Sequence, residues 1–165
     1  MAYDIHSSPW KKVNEALGAG KMLILVGVPI YLIMIFINSF FFPTWKFPIV
    51  STLFNFILGL VILITGFILF ARVIPWIIRI NKTGELYTNG PFRYVRHPLY
   101  SVILCIIIPG ITILLELILT LIFLPTMLIL FHFIIKNEEK LLLEKFGDEY
   151  KDYMKKTKRI IPWIY

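Results

Sequence analysis

The segment Gly90-Pro91-Phe92-Arg93-Tyr94-Val95-Arg96-His97-Pro98-Leu99-Tyr100 is a polar interruption between two long apolar runs, and we call it the hinge. Its arginines, histidine and tyrosines are costly at the entrance to a bilayer unless something binds to them. Pro98 suits the first turn of a helix that begins with Leu99, because the missing N–H is not needed there. The hinge is therefore either a ligand site or a basic loop that contacts lipid phosphates.

The composition of the whole chain indicates a membrane protein. It has 165 residues, of which 58% are hydrophobic and only 16% are charged, whereas a soluble domain has about half apolar and about a quarter charged residues. The net charge of +7 comes from residues between the apolar runs, which favours membrane orientation over nucleic-acid binding. The single cysteine, Cys105, excludes an internal disulfide. We predict one integral membrane domain, residues 1–165.

Three apolar stretches set the number of helices. Residues 22–42 are long enough for one transmembrane helix, and residues 49–71 form a second that is able to continue past Arg72 and Pro75 to Arg79. Residues 99–135 are too long for one membrane helix and just long enough for a tight hairpin of two. The candidate breaks are Pro109-Gly110 and Glu116. We place the turn at residues 115–117, with Glu116 at a membrane face; the alternative is that Glu116 faces a protein cavity.

The basic residues predict how these helices are oriented. They concentrate in the N-terminal arm, in the connector 79–97 and in the tail from Lys136 onwards, whereas the turn 40–48 contains Lys46 alone, beside the interfacial aromatic Trp45. Basic loops face the cytoplasm. We therefore expect an all-α, polytopic bundle of about four transmembrane helices, with both termini and the hinge on the cytoplasmic side.

The tail after the last apolar run predicts a C-terminal amphipathic helix. Apolar residues recur at helical spacing after Glu138-Glu139, up to Tyr153, so the helix lies along the membrane surface or folds back over the hinge, with an interruption near Gly147. Adjacent glutamates point about 100° apart on a helix. One is then able to face a ligand while the other meets solvent or the hinge; the alternative is a solvated helix end.

Two histidines, His97 and His132, give little evidence for a further site or for a bound metal. His132 lies within an apolar run, where a histidine is either functional or hydrogen-bonded to another helix. His97 and His132 do not have the spacing of metal ligands, and no cysteine or acidic cluster accompanies them. We therefore predict no metal site.

The hinge and the tail together resemble a known family. The hinge is followed, after the apolar hairpin, by Glu138-Glu139, Leu142, Phe146-Gly147, Glu149-Tyr150, Tyr153 and Arg159-Ile160-Ile161-Pro162. This pattern is similar to that of the isoprenylcysteine carboxyl methyltransferases, which are related to the membrane phospholipid methyltransferases. The resemblance covers residues 86–162, and Ser101 stands where many relatives have a glycine. It divides the chain into N-terminal helices (1–80) and a cofactor-binding catalytic half (81–165).

The resemblance implies an integral membrane enzyme that uses S-adenosylmethionine and releases S-adenosylhomocysteine. It assigns to the cofactor site Tyr94, His97, Pro98, Leu99, Tyr100, Glu138 and Glu139. It assigns Arg96 and Arg159 to catalysis, as the residues that orient the reacting end of the acceptor. The pocket is expected to face the cytosol, between the hinge, the last helices and the tail.

The acceptor implied by the resemblance is lipophilic and enters from the bilayer. The carboxylate of a prenylcysteine, or of a similar isoprenoid or lipid, is the main candidate. Three alternatives stay open: N-methylation of a phospholipid amine, an NADPH-dependent membrane reductase of related fold, and a non-enzymatic lipid-binding protein. Nucleic acid is not expected among the partners.

Overall fold

The computed structural model describes residues 9–43, 51–162 and 164, and the side chains from residue 25 onwards within those ranges. The α-helices are α1 (Pro9–Phe41), α2 (Thr52–Thr83), α3 (Pro98–Val102), α4 (Ile108–Leu114) and α5 (Thr120–Lys156). A π-helical turn, Ile103–Ile107, joins α3 and α4 into one rod. The described residues thus form four helical rods and no β-strand, which confirms the all-α prediction.

The first two helices are longer than the apolar runs that predicted them. α1 begins at Pro9, well before residue 22, and α2 continues past Arg79 to Thr83. Ser51 caps α2 by accepting a hydrogen bond from the Phe54 N–H at 3.2 Å. Gly84 ends the helix at φ 67°, and its N–H donates to the Ile80 carbonyl. Of the predicted turn 40–48, residues 44–48 lie outside the described part of the chain.

The predicted hairpin is present, and its turn is at the predicted place. α4 ends at Leu114 and α5 begins at Thr120, with Glu116 between them at φ 55°. Glu116 is buried and accepts a hydrogen bond from the Asn55 side chain of α2 at 3.0 Å. The Glu116 side chain is thus enclosed by the protein at the turn, and the placement of the turn at a membrane face stays a prediction. Burial is tolerated because the amide of α2 compensates it.

The π turn inside the first arm of the hairpin has a local cause. Pro109 lacks an N–H and therefore cannot bond to the carbonyl four residues earlier. The backbone N–H of Ile108 instead donates to the Ile103 carbonyl, five residues back. This wider turn keeps Leu104 and Ile108 on the buried face of the rod.

Packing places α1 against α5 and α2 against the α3–α4 rod. Gly59 and Gly66 of α2 allow the second contact: a Cβ atom at Gly59 would lie 2.6 Å from the Leu114 backbone nitrogen. The main core cluster lies between the helices and at the tail, and its buried members are Tyr31, Leu104, Ile108, Phe123, Met127, Phe131, Ile135 and Ile160. Ile160 belongs to the tail, so the tail is part of the core.

The outer faces of these helices are apolar, as lipid contact requires. α2 and α5 are long and apolar enough to cross a membrane, and Leu25–Phe41 and Pro98–Leu114 are shorter apolar helices. Large apolar side chains are exposed along α1 and α2, among them Leu25, Phe40, Leu53 and Phe67. A surface of this kind is rare on soluble monomers, and it supports an integral membrane protein.

The end of α5 turns back toward the hinge. The predicted fourth span and the predicted amphipathic helix form one continuous helix as far as Gly147, where φ 54° and ψ −126° interrupt it. The interruption near Gly147 is therefore confirmed. Beyond it, the Tyr153 hydroxyl donates to the Phe92 carbonyl of the hinge at 2.6 Å. The structure thus shows the helix folded back over the hinge.

Candidate functional site

The hinge is a rigid segment held against α2. Its first part is a 3₁₀ helix, Gly90–Arg93, that starts at a glycine with φ 60°. A Cβ atom at Gly90 would lie 2.4 Å from the Trp76 ring of α2, so the close approach also requires glycine. The hinge then enters α3 at Pro98, as its sequence predicted. Phe92, a residue of the hinge, is buried against Tyr150 and Tyr153 of α5.

The tail runs alongside the hinge and is bonded to it. The backbone N–H groups of Arg96 and His97 donate to the carbonyls of Lys158 and Arg159 at 2.7 and 2.9 Å. The Ser101 hydroxyl donates to the Ile160 carbonyl at 2.6 Å, which gives the serine at this position a structural role. These bonds bring Arg96, His97 and Arg159 to the same end of the bundle.

Glu139 of α5 is the centre of the charged cluster. Arg96 Nε donates to Glu139 Oε1 at 2.9 Å, and Arg159 donates to Oε2 from Nη2 at 2.6 Å and from Nε at 3.0 Å. His97 Nε2 lies 3.6 Å from Oε1, just beyond hydrogen-bond distance. Glu139 is only 5% exposed. The solvated helix end considered as an alternative is therefore not what the structure shows.

The electrostatics of Glu139 follow from these contacts. The apolar part of α5 ends at Ile135, so Glu139 lies beyond the segment that fits a bilayer. Burial by itself raises its pKa, but His97, Arg159 and Arg96 together outweigh burial and lower the pKa of Glu139 to about 2. The carboxylate is ionised at neutral pH and neutralises the arginines.

Glu138, its neighbour, has the opposite environment. It is 7% exposed, and among the described residues its Oε2 atom has no hydrogen-bond partner. Burial raises the pKa of Glu138, His97 opposes that effect and the charge of Glu139 reinforces it. His97 Nε2 and the Tyr150 hydroxyl are also buried without a hydrogen-bond partner among the described residues. Buried polar groups are nearly always bonded, so three unbonded ones indicate a place for a ligand.

Aromatic rings form the apolar side of the same region. The ring of Phe131, which is fully buried, lies edge-on to His97 at 5.8 Å and to Tyr100 at 5.2 Å between centroids. Pro98 is buried and Leu99 is half-buried at the start of α3. Tyr94, by contrast, is 62% exposed. The structure therefore gathers the candidate cofactor residues except Tyr94, which points away from the buried cluster.

Two sets of hydrogen-bond partners in the cluster had no signal in the sequence. Arg159 Nη1 lies 3.2 Å from His132 Nδ1, and because a guanidinium only donates, Nδ1 accepts. Arg96 donates from Nη1 to the carbonyls of Met154, at 3.2 Å, and Thr157. These partners are distant in the chain and become visible only when the tail is folded over the hinge. Among the described residues no cluster of histidine, cysteine, aspartate and glutamate could hold a metal ion.

Comparisons with known proteins identify a family for this chain. A sequence model of the isoprenylcysteine carboxyl methyltransferase (ICMT) family matches residues 50–144, more than half of the chain. The fold is similar to a solved structure of the eukaryotic intramembrane Ras methyltransferase ICMT, with a TM-score of 0.62 and 23% identity. That alignment covers 86% of this chain and 52% of the other, so this chain spans about half the length of the solved one. A search of curated proteins gave no match.

Proposed function

The chain belongs to the isoprenylcysteine carboxyl methyltransferase family, and on that premise we propose an integral membrane S-adenosylmethionine-dependent methyltransferase acting on the carboxylate of a lipophilic acceptor. The observation that carries the proposal is the buried cluster of Glu138, Glu139, His97, Arg96 and Arg159. It combines an ionised, fully engaged carboxylate with a second carboxylate that has an unbonded oxygen. Such a cluster is expensive to bury for stability alone.

The residues present fit the cofactor. S-adenosylmethionine supplies an electrophilic methyl group on a sulfonium, and its amino-acid end carries an ammonium and a carboxylate. The unbonded Glu138 Oε2 accepts from an ammonium, and His97 offers a ring nitrogen beside it. The Tyr100 ring, which is half-buried, offers an apolar face for the adenine, and the fully buried Phe131 ring packs edge-on behind it. Proline and leucine at the start of α3 complete the apolar wall.

The surroundings of the two arginines support different roles for them. The Arg96 side chain is 8% exposed and is held by Glu139 and two tail carbonyls. The Arg159 side chain is 18% exposed and also contacts His132, which lies in the apolar part of α5. We assign Arg159 to the acceptor carboxylate and Arg96 to the alignment of Glu139 and the tail. Arg159 is then on the side from which a lipid acceptor arrives.

A carboxylate acceptor needs little chemistry from the protein. It is ionised at neutral pH, so it would need no general base, and S-adenosylmethionine, when bound, would supply the electrophilic methyl group. Arg159 orients the anion, and the surrounding apolar residues exclude water. Near-attack alignment of this kind is worth about 7 to 11 kcal/mol. An amine acceptor would need a base; Glu139 is unsuitable because its pKa is lowered to about 2, whereas Glu138, whose pKa burial raises, would be the candidate.

The proposal includes an orientation in the membrane. Four spans, built from α1, α2, the α3–α4 rod and the apolar part of α5, place the hinge and the tail on the same side. The excess of lysine and arginine in both segments favours the cytoplasm. Because the solved structure that this fold resembles is named a Ras methyltransferase, we propose a prenylcysteine as the acceptor class.

Transfer of a radiolabelled methyl group from S-adenosylmethionine tests this function. We expect the detergent-solubilised protein to label N-acetyl-S-farnesylcysteine and to leave its carboxamide analogue and phosphatidylethanolamine unlabelled. Arg159→Ala should reduce labelling by at least 100-fold, whereas Lys151→Ala, an exposed cation on the same tail, should not. Labelling of phosphatidylethanolamine in preference to farnesylcysteine would make the protein an N-methyltransferase. No labelling of any acceptor, with S-adenosylhomocysteine also failing to bind, would reject the proposal.

A further inference from the structure

Tyr150 is a fully buried tyrosine whose hydroxyl is not used by the fold. It is 1% exposed, and its oxygen has no hydrogen-bond partner among the described residues. Tyr153, one turn later, differs in this respect, because its hydroxyl donates to the Phe92 carbonyl at 2.6 Å. A buried hydroxyl without a partner costs about 1–3 kcal/mol. Phenylalanine would fill the same position without that cost, so the hydroxyl requires another explanation.

The kink at Gly147 brings Tyr150 within electrostatic range of the two glutamates. On a straight helix Tyr150 would lie about 18 Å beyond Glu138 along the axis, too far for a direct effect. The positive φ and the ψ of −126° at Gly147 turn the chain back, and Tyr150 and Glu138 then influence each other electrostatically. Burial first, then Glu139 and Glu138, raise the pKa of Tyr150, with Arg96 opposing. The hydroxyl is thus neutral at physiological pH and able to donate.

The ligand chemistry follows from the unbonded atoms in this region. Glu138 Oε2 is an acceptor, His97 Nε2 is a ring nitrogen and the Tyr150 hydroxyl is a donor. An α-amino acid has an ammonium and a carboxylate on the same carbon, so its receptor must set an acceptor and a donor side by side. Arg96 also acts on the Tyr150 hydroxyl and partly offsets the charges of the two glutamates there. A purely cationic or purely apolar ligand would leave the donor unused.

We propose that the Tyr150 hydroxyl donates a hydrogen bond to the α-carboxylate of the bound methionine moiety, an inference that rests on the proposed function. Tyr150 is then a ligand-binding residue. Tyr153, its neighbour of identical chemistry, is structural. The two tyrosines give a matched pair, since each loses one oxygen atom on replacement by phenylalanine and nothing else.

Calorimetric titration with S-adenosylhomocysteine tests the inference. We expect Tyr150→Phe to weaken binding by about 10- to 100-fold, the range for a hydrogen bond to a charged group, with a melting temperature equal to or above that of the natural protein. Tyr153→Phe should lower the melting temperature and keep the affinity. The decarboxylated ligand, 5′-deoxy-5′-(3-aminopropylthio)adenosine, should bind the natural protein and Tyr150→Phe equally, and the natural protein more weakly than S-adenosylhomocysteine.

Each other outcome overturns a specific statement. Unchanged affinity in Tyr150→Phe would reject the role of Tyr150 and leave the proposed function intact. Equal affinity of the natural protein for S-adenosylhomocysteine and its decarboxylated analogue would also reject the role of Tyr150. This result does not depend on the folding of a variant. Failure of the natural, folded protein to bind S-adenosylhomocysteine would reject the proposed function itself and this inference with it.

Discussion

Two neighbouring glutamates in this molecule have opposite environments. Glu139 bonds to two arginines, while Glu138 has a buried oxygen with no partner in the described part of the chain. The sequence predicts that adjacent helical residues diverge by about 100°. It does not predict which glutamate meets the arginines, because Arg96 and Arg159 reach α5 only through the pairing of tail and hinge. The sequence therefore identifies the charged residues of the site but does not show which of them pair.

Removal of Glu139 should destabilise the whole cluster. Glu139→Ala leaves the buried Arg96 and the partly buried Arg159 guanidinium without their anion, and breaking a buried pair in this way costs about 3–5 kcal/mol. We expect a strongly lowered melting temperature, measured by circular dichroism on the detergent-solubilised protein. Asp152→Ala breaks the exposed pair with Lys155 and should leave the melting temperature unchanged. Equal effects of the two substitutions would contradict the central position of Glu139.

Neutralising Glu138 should have the opposite effect on stability. Because its pKa is raised above the usual 4.5 in the folded protein, the folded state binds this proton more tightly than the unfolded state. The contribution of Glu138 to stability therefore falls as the pH rises above 4.5. We expect Glu138→Gln to be more stable than the natural protein at pH 8 by about 0.5–2 kcal/mol.

The same gain should shrink toward pH 5, where the natural carboxyl is more nearly neutral. Thermal unfolding at several pH values measures this difference. Glu144→Gln, an exposed glutamate on the same helix, is the control and should show no such trend. A Glu138→Gln variant less stable than the natural protein at pH 8 would show that Glu138 is a structural partner.

At the level of elements, the interruption of α5 decides where the site residues lie. The helix is continuous through the predicted boundary between span and tail, and it breaks only at Gly147. The sequence identified this glycine as an interruption, since glycine is a weak helix former. It did not reveal the direction of the turn, which depends on Phe92, Tyr150 and Tyr153 packing together. The sequence did not predict the π turn before Pro109 either, because the apolar pattern of residues is the same for an α-helical and a π-helical turn.

A side chain at Gly147 should weaken the site even though there is room for it. No atom lies within 4 Å of the position that its Cβ would occupy, but φ is 54°. We expect Gly147→Ala to cost about 1–3 kcal/mol through backbone strain, and to weaken S-adenosylhomocysteine binding because Tyr150 moves. Asp148→Ala, the next residue and exposed, should change neither quantity. Melting curves and calorimetry check both, and an unaffected Gly147→Ala variant would contradict this role of the kink.

For the whole molecule, the fold class was predictable and the packing order was not. The lengths of the apolar runs predicted the four helical rods and the hairpin turn, because a bilayer fixes the length of a span. The pairing of α1 with α5 and of α2 with the α3–α4 rod left no comparable pattern. Apolar residues that face lipid cannot be distinguished in a sequence from those that face protein. Which helices are neighbours is therefore known only from their packing in the structure.

The proposed orientation can be tested with single cysteines in a Cys105→Ser background. Asp148→Cys lies in the tail and Leu115→Cys lies at the opposite hairpin turn, and both positions are exposed. We expect a membrane-impermeant maleimide added to intact cells to label Leu115→Cys and to reach Asp148→Cys only after lysis. Labelling of both positions from the same side would contradict the four-span arrangement.

The central claim is that the cluster of hinge and tail binds the cofactor through Glu138. Calorimetric titration of the detergent-solubilised protein with S-adenosylhomocysteine, beside Glu138→Gln and Glu144→Gln, tests it most directly. We predict binding by the natural protein and by Glu144→Gln, and a loss of at least 10-fold in Glu138→Gln, which keeps the shape and removes the charge that meets the ammonium. Equal binding by all three proteins would show that Glu138 does not contact the cofactor. No binding by the folded natural protein would contradict the claim that the cluster is a cofactor site.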